Sequence, residues 1–137
     1  MARRAFVGGT WLVGAAVLIQ VLLAGLGLFT YPGFFFWHAN VNGSIVFVLP
    51  LLLVLVGWLG RVPARILGLA GAVSGLTIMQ SLLLIPYHMN IQGPLRAISA
   101  LHVLNAIFIV WVALQLVERA HSWSARERTQ AVRSLSS

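Results

Sequence analysis

Two histidines set early in apolar runs are the side chains of this 137-residue chain best suited to chemistry. His38 stands in FFFWHANVNG (34–43) and His102 in SALHVLNA (99–106). Each follows a glutamine on the preceding run, Gln20 in VLIQVLL and Gln80 in TIMQSLL. Each also precedes an asparagine by about one turn, Asn42 and Asn105. A neutral imidazole is a metal ligand. Within lipid it is costly unless it faces a bundle interior and has a partner. Two imidazoles facing each other across a bundle, above small and aliphatic residues, predict a haem b held edge-on with both nitrogens on the iron. The second nitrogen of each ring then needs an orienting acceptor such as a backbone carbonyl. Arg96 is expected to meet the propionates, and Gly43 to let a flat cofactor approach the backbone. Asn42, Asn105, Gln20 and Gln80 complete the candidate cofactor-binding set, with His38 and His102 as the metal ligands. A closed zinc or copper site is the weaker reading, because two histidines without a carboxylate or thiolate are too few ligands.

The elements that position these residues are membrane spans. The chain is 60% hydrophobic and 8% charged, and no charged residue lies between Arg4 and Arg61. A soluble domain of this length has no way to bury that much apolar surface. Four apolar segments, about 6–29, 33–59, 66–86 and 95–117, are each long enough to cross a hydrocarbon core as a helix. Short connections make neighbours antiparallel. The expected fold is therefore all-α: an integral membrane four-helix up-down bundle over 1–117, followed by a basic cytoplasmic tail over 118–137 that reads as a continuation of the fourth helix on the anionic inner leaflet. Paired arginines before the first run also fit a twin-arginine export signal, but that run spans and leads into three more.

The nine basic residues are all arginines, which explains the net charge of +7. Eight of them lie at the end of the spans that carries Arg3, Arg4, Arg61 and Arg65, and only Arg96 lies at the other. This positive-inside bias places both termini in the cytoplasm and the chain as a multi-pass protein of the inner membrane. The charge is accounted for by topology and calls for no nucleic acid. The absence of cysteine rules out disulfides, thiolate metal sites and covalent c-type haem attachment.

Each half of the chain starts inside and returns inside, so the halves form a parallel internal two-hairpin repeat about an axis along the membrane normal. The Gln-to-His spacing is 18 in the first half and 22 in the second, as expected if the second outer connection is four residues longer. His38 lies six residues after Pro32 and His102 eight after Pro94, which puts both roughly 9–12 Å into their segments. On the fourth segment, Ser99, His102, Ala106, Ile109 and Ala113 share a face.

Bland readings stand beside these. A histidine near a membrane interface is commonly a boundary residue, and Gln20 and Gln80 suit interhelical hydrogen bonds. Gly71 and Gly75 in GAVSG, with Gly68 and Ala72, form a small-residue packing face. Trp11, Trp37, Trp58, Trp111 and Tyr31 read as interface belts. His88 reads as a snorkelling loop residue, with it or Met89 as a substitute ligand, and His121 as a solvated residue of the tail.

The segments QSLLLIPYHMN and ISALHVLNA, with WHANVNG before them, resemble one four-helix half of the haem A synthase family over roughly residues 10–117. They are also similar to small bacterial four-helix membrane proteins with H-x-x-x-N-G and LH-x-x-N-A patterns. The synthases carry a histidine on the second and fourth helices of each half. The resemblance implies haem ligation by His38 and His102. This chain has no acidic residue before Glu118, whereas the catalytic half of the synthases carries glutamates on its first helix, so the oxidative chemistry is not implied.

Three function classes follow. The first is a small cytochrome-like membrane haem b protein, serving electron transfer or haem-related support of a partner, and not an enzyme on its own. The second is a haem-free structural or assembly subunit of a larger membrane complex. The third, a proton-coupled exporter, lacks the intramembrane carboxylate such carriers use. Partners expected under all three are the lipid bilayer and a membrane protein or a second copy.

Overall fold

The computed structural model describes residues 1–136. Four long helices carry the chain: α1 (Ala2–Phe29), α2 (Phe34–Leu59), α3 (Ala64–Leu83) and α4 (Leu101–Ser136). One further turn, Ile85–His88, follows α3, and a 3-10 stretch, Pro94–Ala100, leads into α4. No strand occurs among the described residues. All four helical segments are long and apolar enough to cross a membrane. The surface agrees with a lipid surround: Leu22, Ile107 and Phe108 are 58–61% exposed on the outer faces.

The helices form a square. α1 packs on α2 and α4, and α3 packs on α2 and α4, while the diagonal pairs make no close backbone approach. Tight turns enforce this order. Gly60, Arg61 and Val62 end α2 in a Schellman arrangement, with Arg61 N–H on Trp58 O at 3.0 Å and Val62 N–H on Gly57 O at 2.9 Å. Arg61 takes the left-handed position there (φ 55°), and Asn90 does the same after the Ile85–His88 turn (φ 53°).

The apolar core occupies only the half of the bundle nearer the termini. Phe6, Val13, Leu53, Ile66, Val73 and Leu116 are its centre. Thr10 is buried there with its hydroxyl turned back to Val7 O at 2.8 Å. Pro50 lies inside α2 and removes a backbone donor. The Ser74 hydroxyl from α3 donates to the nearby Phe47 carbonyl at 2.7 Å. Towards the distal end, opposite the termini, the packed core gives way to cavities.

α4 does not stop at residue 117. It continues as one helix, and Ala120 and Trp123 are buried against the core. Arg3 holds this extension. Its guanidinium lies 5.5 Å over the Trp123 ring, pairs with Glu127 at 2.6 Å and donates to Gly60 O at 3.1 Å. His121 is exposed.

The small-residue face of α3 packs differently from the sequence expectation. A Cβ added at Gly68, Gly71 or Gly75 would meet nothing within 4 Å. These glycines do not bring two helices of this chain together, because α3 turns Ile66, Ala70, Val73 and Ser74 inward instead. Replacing Gly71 and Gly75 together by alanine is expected to leave the bundle as stable as the parent or slightly more so, by at most about 1 kcal/mol per site. Denaturant unfolding followed by far-ultraviolet circular dichroism measures this, and a clear loss of stability counts against the packing described.

Candidate functional site

Two copies of one hydrogen-bonded unit form the site. In the first, His38 on α2 donates from Nδ1 to the Gln20 carbonyl of α1 at 2.9 Å. Asn42 donates from Nδ2 to the Ala16 carbonyl and to Gln20 Oε1, both at 2.7 Å. In the second, His102 on α4 donates from Nδ1 to the Gln80 carbonyl of α3 at 3.2 Å. Asn105 donates to the Leu76 carbonyl at 2.8 Å and to Gln80 Oε1. Ala16 and Leu76 each stand four residues before the glutamine, so the same two carbonyl levels are read in both halves.

The repeat survives an irregularity in spacing. Asparagine follows histidine by four residues in the first half and by three in the second. The structure absorbs the extra residue in a π-helical turn, Trp37–Asn42. A π-turn holds more residues than an α-turn, so four residues there sweep nearly the angle that three sweep on α4. Gly43 closes that turn. A Cβ at this position would lie 3.2 Å from the His38 carbonyl and 3.7 Å from Gln20 Nε2. Gly43 lines the cavity beside His38, where the sequence reading put a close approach.

These bonds decide which ring nitrogen faces inward. A carbonyl only accepts, so Nδ1 of each histidine carries hydrogen, and in the neutral ring Nε2 is the bare nitrogen. This carbonyl-anchored geometry is the one ligating histidines use. His38 Nε2 lies 3.5 Å from the Gln20 amide nitrogen, the outer limit of a hydrogen bond.

Both histidines and both glutamines line two cavities that pass between the hairpins. One, of about 280 Å³, opens between α2 and α3 past Ala39, Ser44, Ile78 and Ser81. The other, of about 220 Å³, opens between α1 and α4 past Val17, Val21, Val103 and Val110. The two openings are related by the repeat, with Thr77 and Ser81 standing where the first half has Val17 and Val21. A third chamber of about 510 Å³ lies distally. Phe35, Leu84, Tyr87, His88 and Ser99 line it together with both histidines. This volume is in the range of small-molecule sites.

Of the expected site residues, His38, His102, Gln20, Gln80 and Gly43 all reach the cavities. Asn42 and Asn105 are buried behind them and hold the glutamines. Arg96 is exposed and stacks 5.4 Å over the Tyr87 ring at the rim of the distal chamber. His88 faces the same chamber and meets the Tyr87 ring edge-on at 5.5 Å. No group of three or more His, Cys, Asp or Glu that would hold a metal ion occurs among the described residues. Sequence reasoning passed over the backbone acceptors at Ala16 and Leu76, although each lies one helical turn before its glutamine. It also passed over Tyr87, whose signal was its nearness to Arg96 across a short connection.

The asparagine amides carry much of this geometry. Asn105→Leu removes two donors and leaves Gln80 Oε1 without its partner. A loss of about 1–3 kcal/mol is expected on denaturant unfolding. Asn42→Leu in the equivalent place should cost a similar amount, and a neutral result at both positions would remove the shared unit from the account.

No curated protein and no solved structure matches the chain. One family pattern does, over residues 20–88. The match runs from Gln20 to His88 and so takes in His38, Asn42, Gly43 and Gln80, but it ends before Ser99, His102 and Asn105. It covers 69 of 137 residues, just over half, and the chain therefore belongs to the family of unknown function DUF6220.

Proposed function

We propose that the protein is a small membrane haem b protein in which His38 and His102 would hold the iron through Nε2. The observation that carries this reading is the matched anchoring of the two rings. Each Nδ1 is tied to the carbonyl of a glutamine on the preceding helix, and both imidazoles line the same cavities between two helices whose backbones make no close approach. The donor set suits the group: two imidazoles on opposite hairpins, aliphatic walls from Val17, Val46, Ala106 and Ile109, and a roomier chamber at the distal end. When bound, haem b supplies a one-electron couple. The chain's own residues fix ring tautomer and orientation, separate the helices and keep charge out of the walls. The distribution of arginines supports the inner membrane as location, with both termini cytoplasmic. Electron transfer, or haem-related support of a membrane partner, is the role these features favour.

The purified chain, expressed with ample haem, is expected to show a Soret band and a sharp α band in the reduced-minus-oxidised spectrum. A protein lacking both overturns the proposal. One observation favours a haem-free structural subunit instead: the Gln20 amide already stands 3.5 Å from His38 Nε2. That reading expects no such bands, and full assembly with both histidines replaced.

A further inference from the structure

The repeat governs the histidines but breaks down in the distal chamber. Three residues before His38 stands Phe35, and three before His102 stands Ser99. Phe35 fills its place with an aromatic ring against Gly27, where an added Cβ would lie 3.0 Å from the ring. Ser99 presents a hydroxyl. Its oxygen is the one buried side-chain polar atom without a hydrogen-bond partner among the described residues. Buried hydroxyls are nearly always paired, so an orphan on a residue that lines a cavity marks a missing partner.

The backbone adds a second feature. Pro94–Ala100 is a 3-10 stretch, in which residues three apart stand one above another. Arg96, Ser99 and, at the start of α4, His102 therefore form a column: a cation at the rim, a buried hydroxyl below it and an imidazole deeper still. Arg96 stands over Tyr87, and Tyr87, Ser99 and His102 all line the chamber. The first half has Pro32 and Phe35 at the matching places and offers neither donor nor charge.

We propose that the distal chamber is a carboxylate subsite, in which the Ser99 hydroxyl donates to, and Arg96 pairs with, a carboxylate of the ligand held by His38 and His102. The inference rests on the haem reading above and adds an orientation to it. The ligand lies one way round, with its carboxylate edge towards the start of α4, although the histidines that hold its centre are related by the repeat.

Absorbance titration of the full chain with iron protoporphyrin IX and with its dimethyl ester tests this. The ester keeps the iron and the ring but has no carboxylate. The parent protein is expected to bind the free acid about tenfold or more tightly than the ester. Ser99→Ala and Arg96→Gln should each weaken the acid by about tenfold and leave the ester unchanged. Equal binding of acid and ester by the parent protein overturns the subsite, and that comparison requires no variant. A preference that survives both substitutions, or substitutions that weaken both ligands alike, overturns it too. Failure of the parent protein to bind either compound removes the haem reading itself, and this inference falls with it.

Discussion

On the proposed haem reading, His102→Ala is expected to change a low-spin haem spectrum to a high-spin one, while the four helices stay in place. The two consequences separate because the ring does little structural work. His102 is half-buried, and its one hydrogen bond goes to the Gln80 carbonyl. That carbonyl lies in the last turn of α3, where the Leu84 N–H bonds Ser81 O at 3.2 Å, so losing the ring costs about 1–3 kcal/mol. On that reading ligation depends on this ring, and His88 in the distal chamber is the other histidine near the pair among the described residues. His38→Ala should act alike, with Gln20 left free to turn into the space. Added imidazole enters the hole left by either ring and is expected to restore much of the low-spin signature. A variant that keeps the parent spectrum shows that the ring removed is not a ligand. A variant that unfolds instead assigns that histidine to the helix clamp, and the double replacement His38→Ala/His102→Ala in a haem-free preparation then measures the clamp directly.

Gly57→Leu should be the most damaging single change to the fold. Gly57 lies on α2 where α1 and α3 converge. A Cβ there would stand 2.4 Å from a methyl of Leu67 and 2.8 Å from two ring atoms of Phe6. Phe6 is fully buried and packed into the core, so the ring has nowhere to move. Leucine adds three further carbons beyond the Cβ, and the helices must separate to admit them. Overpacking of this kind costs about 3 kcal/mol or more where backbone has to shift. Denaturant unfolding should show the loss, and Gly75→Leu, whose Cβ meets nothing within 4 Å, serves as the matched control. Equal stability of the two variants would contradict the convergence of α1, α2 and α3 at Gly57.

The membrane fold was legible from composition because hydrocarbon leaves the chain few choices. Backbone groups without water must pair within the segment, so four long apolar runs with short connections can only be four antiparallel helices. The arginine- and serine-rich tail reads as a continuation of the fourth helix and folds as one, but hydropathy, which stops at Val117, gave no sign that it packs back on the core. Ala120 and Trp123 are buried, and Arg3 lies over Trp123 and pairs with Glu127, a contact 124 residues apart in sequence. The glycine pattern of α3 misled for a related reason. Spacing shows that residues share a face, but rotation of the helix in the bundle decides which face meets a neighbour.

The site divides in the same way. Residue types and spacing alone named the Gln–His–Asn unit, its repetition and the need of each imidazole for a carbonyl, since these follow from the chemistry of a polar ring in lipid. Three-dimensional packing supplied what spacing has no access to. It chose the carbonyls of Gln20 and Gln80 as the acceptors and hence Nε2 as the inward nitrogen. It absorbed the uneven histidine-to-asparagine interval in a π-turn, which turns on how the backbone winds locally rather than on residue type. It also left Ser99 unpaired beside both rings, because a hydroxyl is satisfied or orphaned only by what other helices bring within about 3 Å of it.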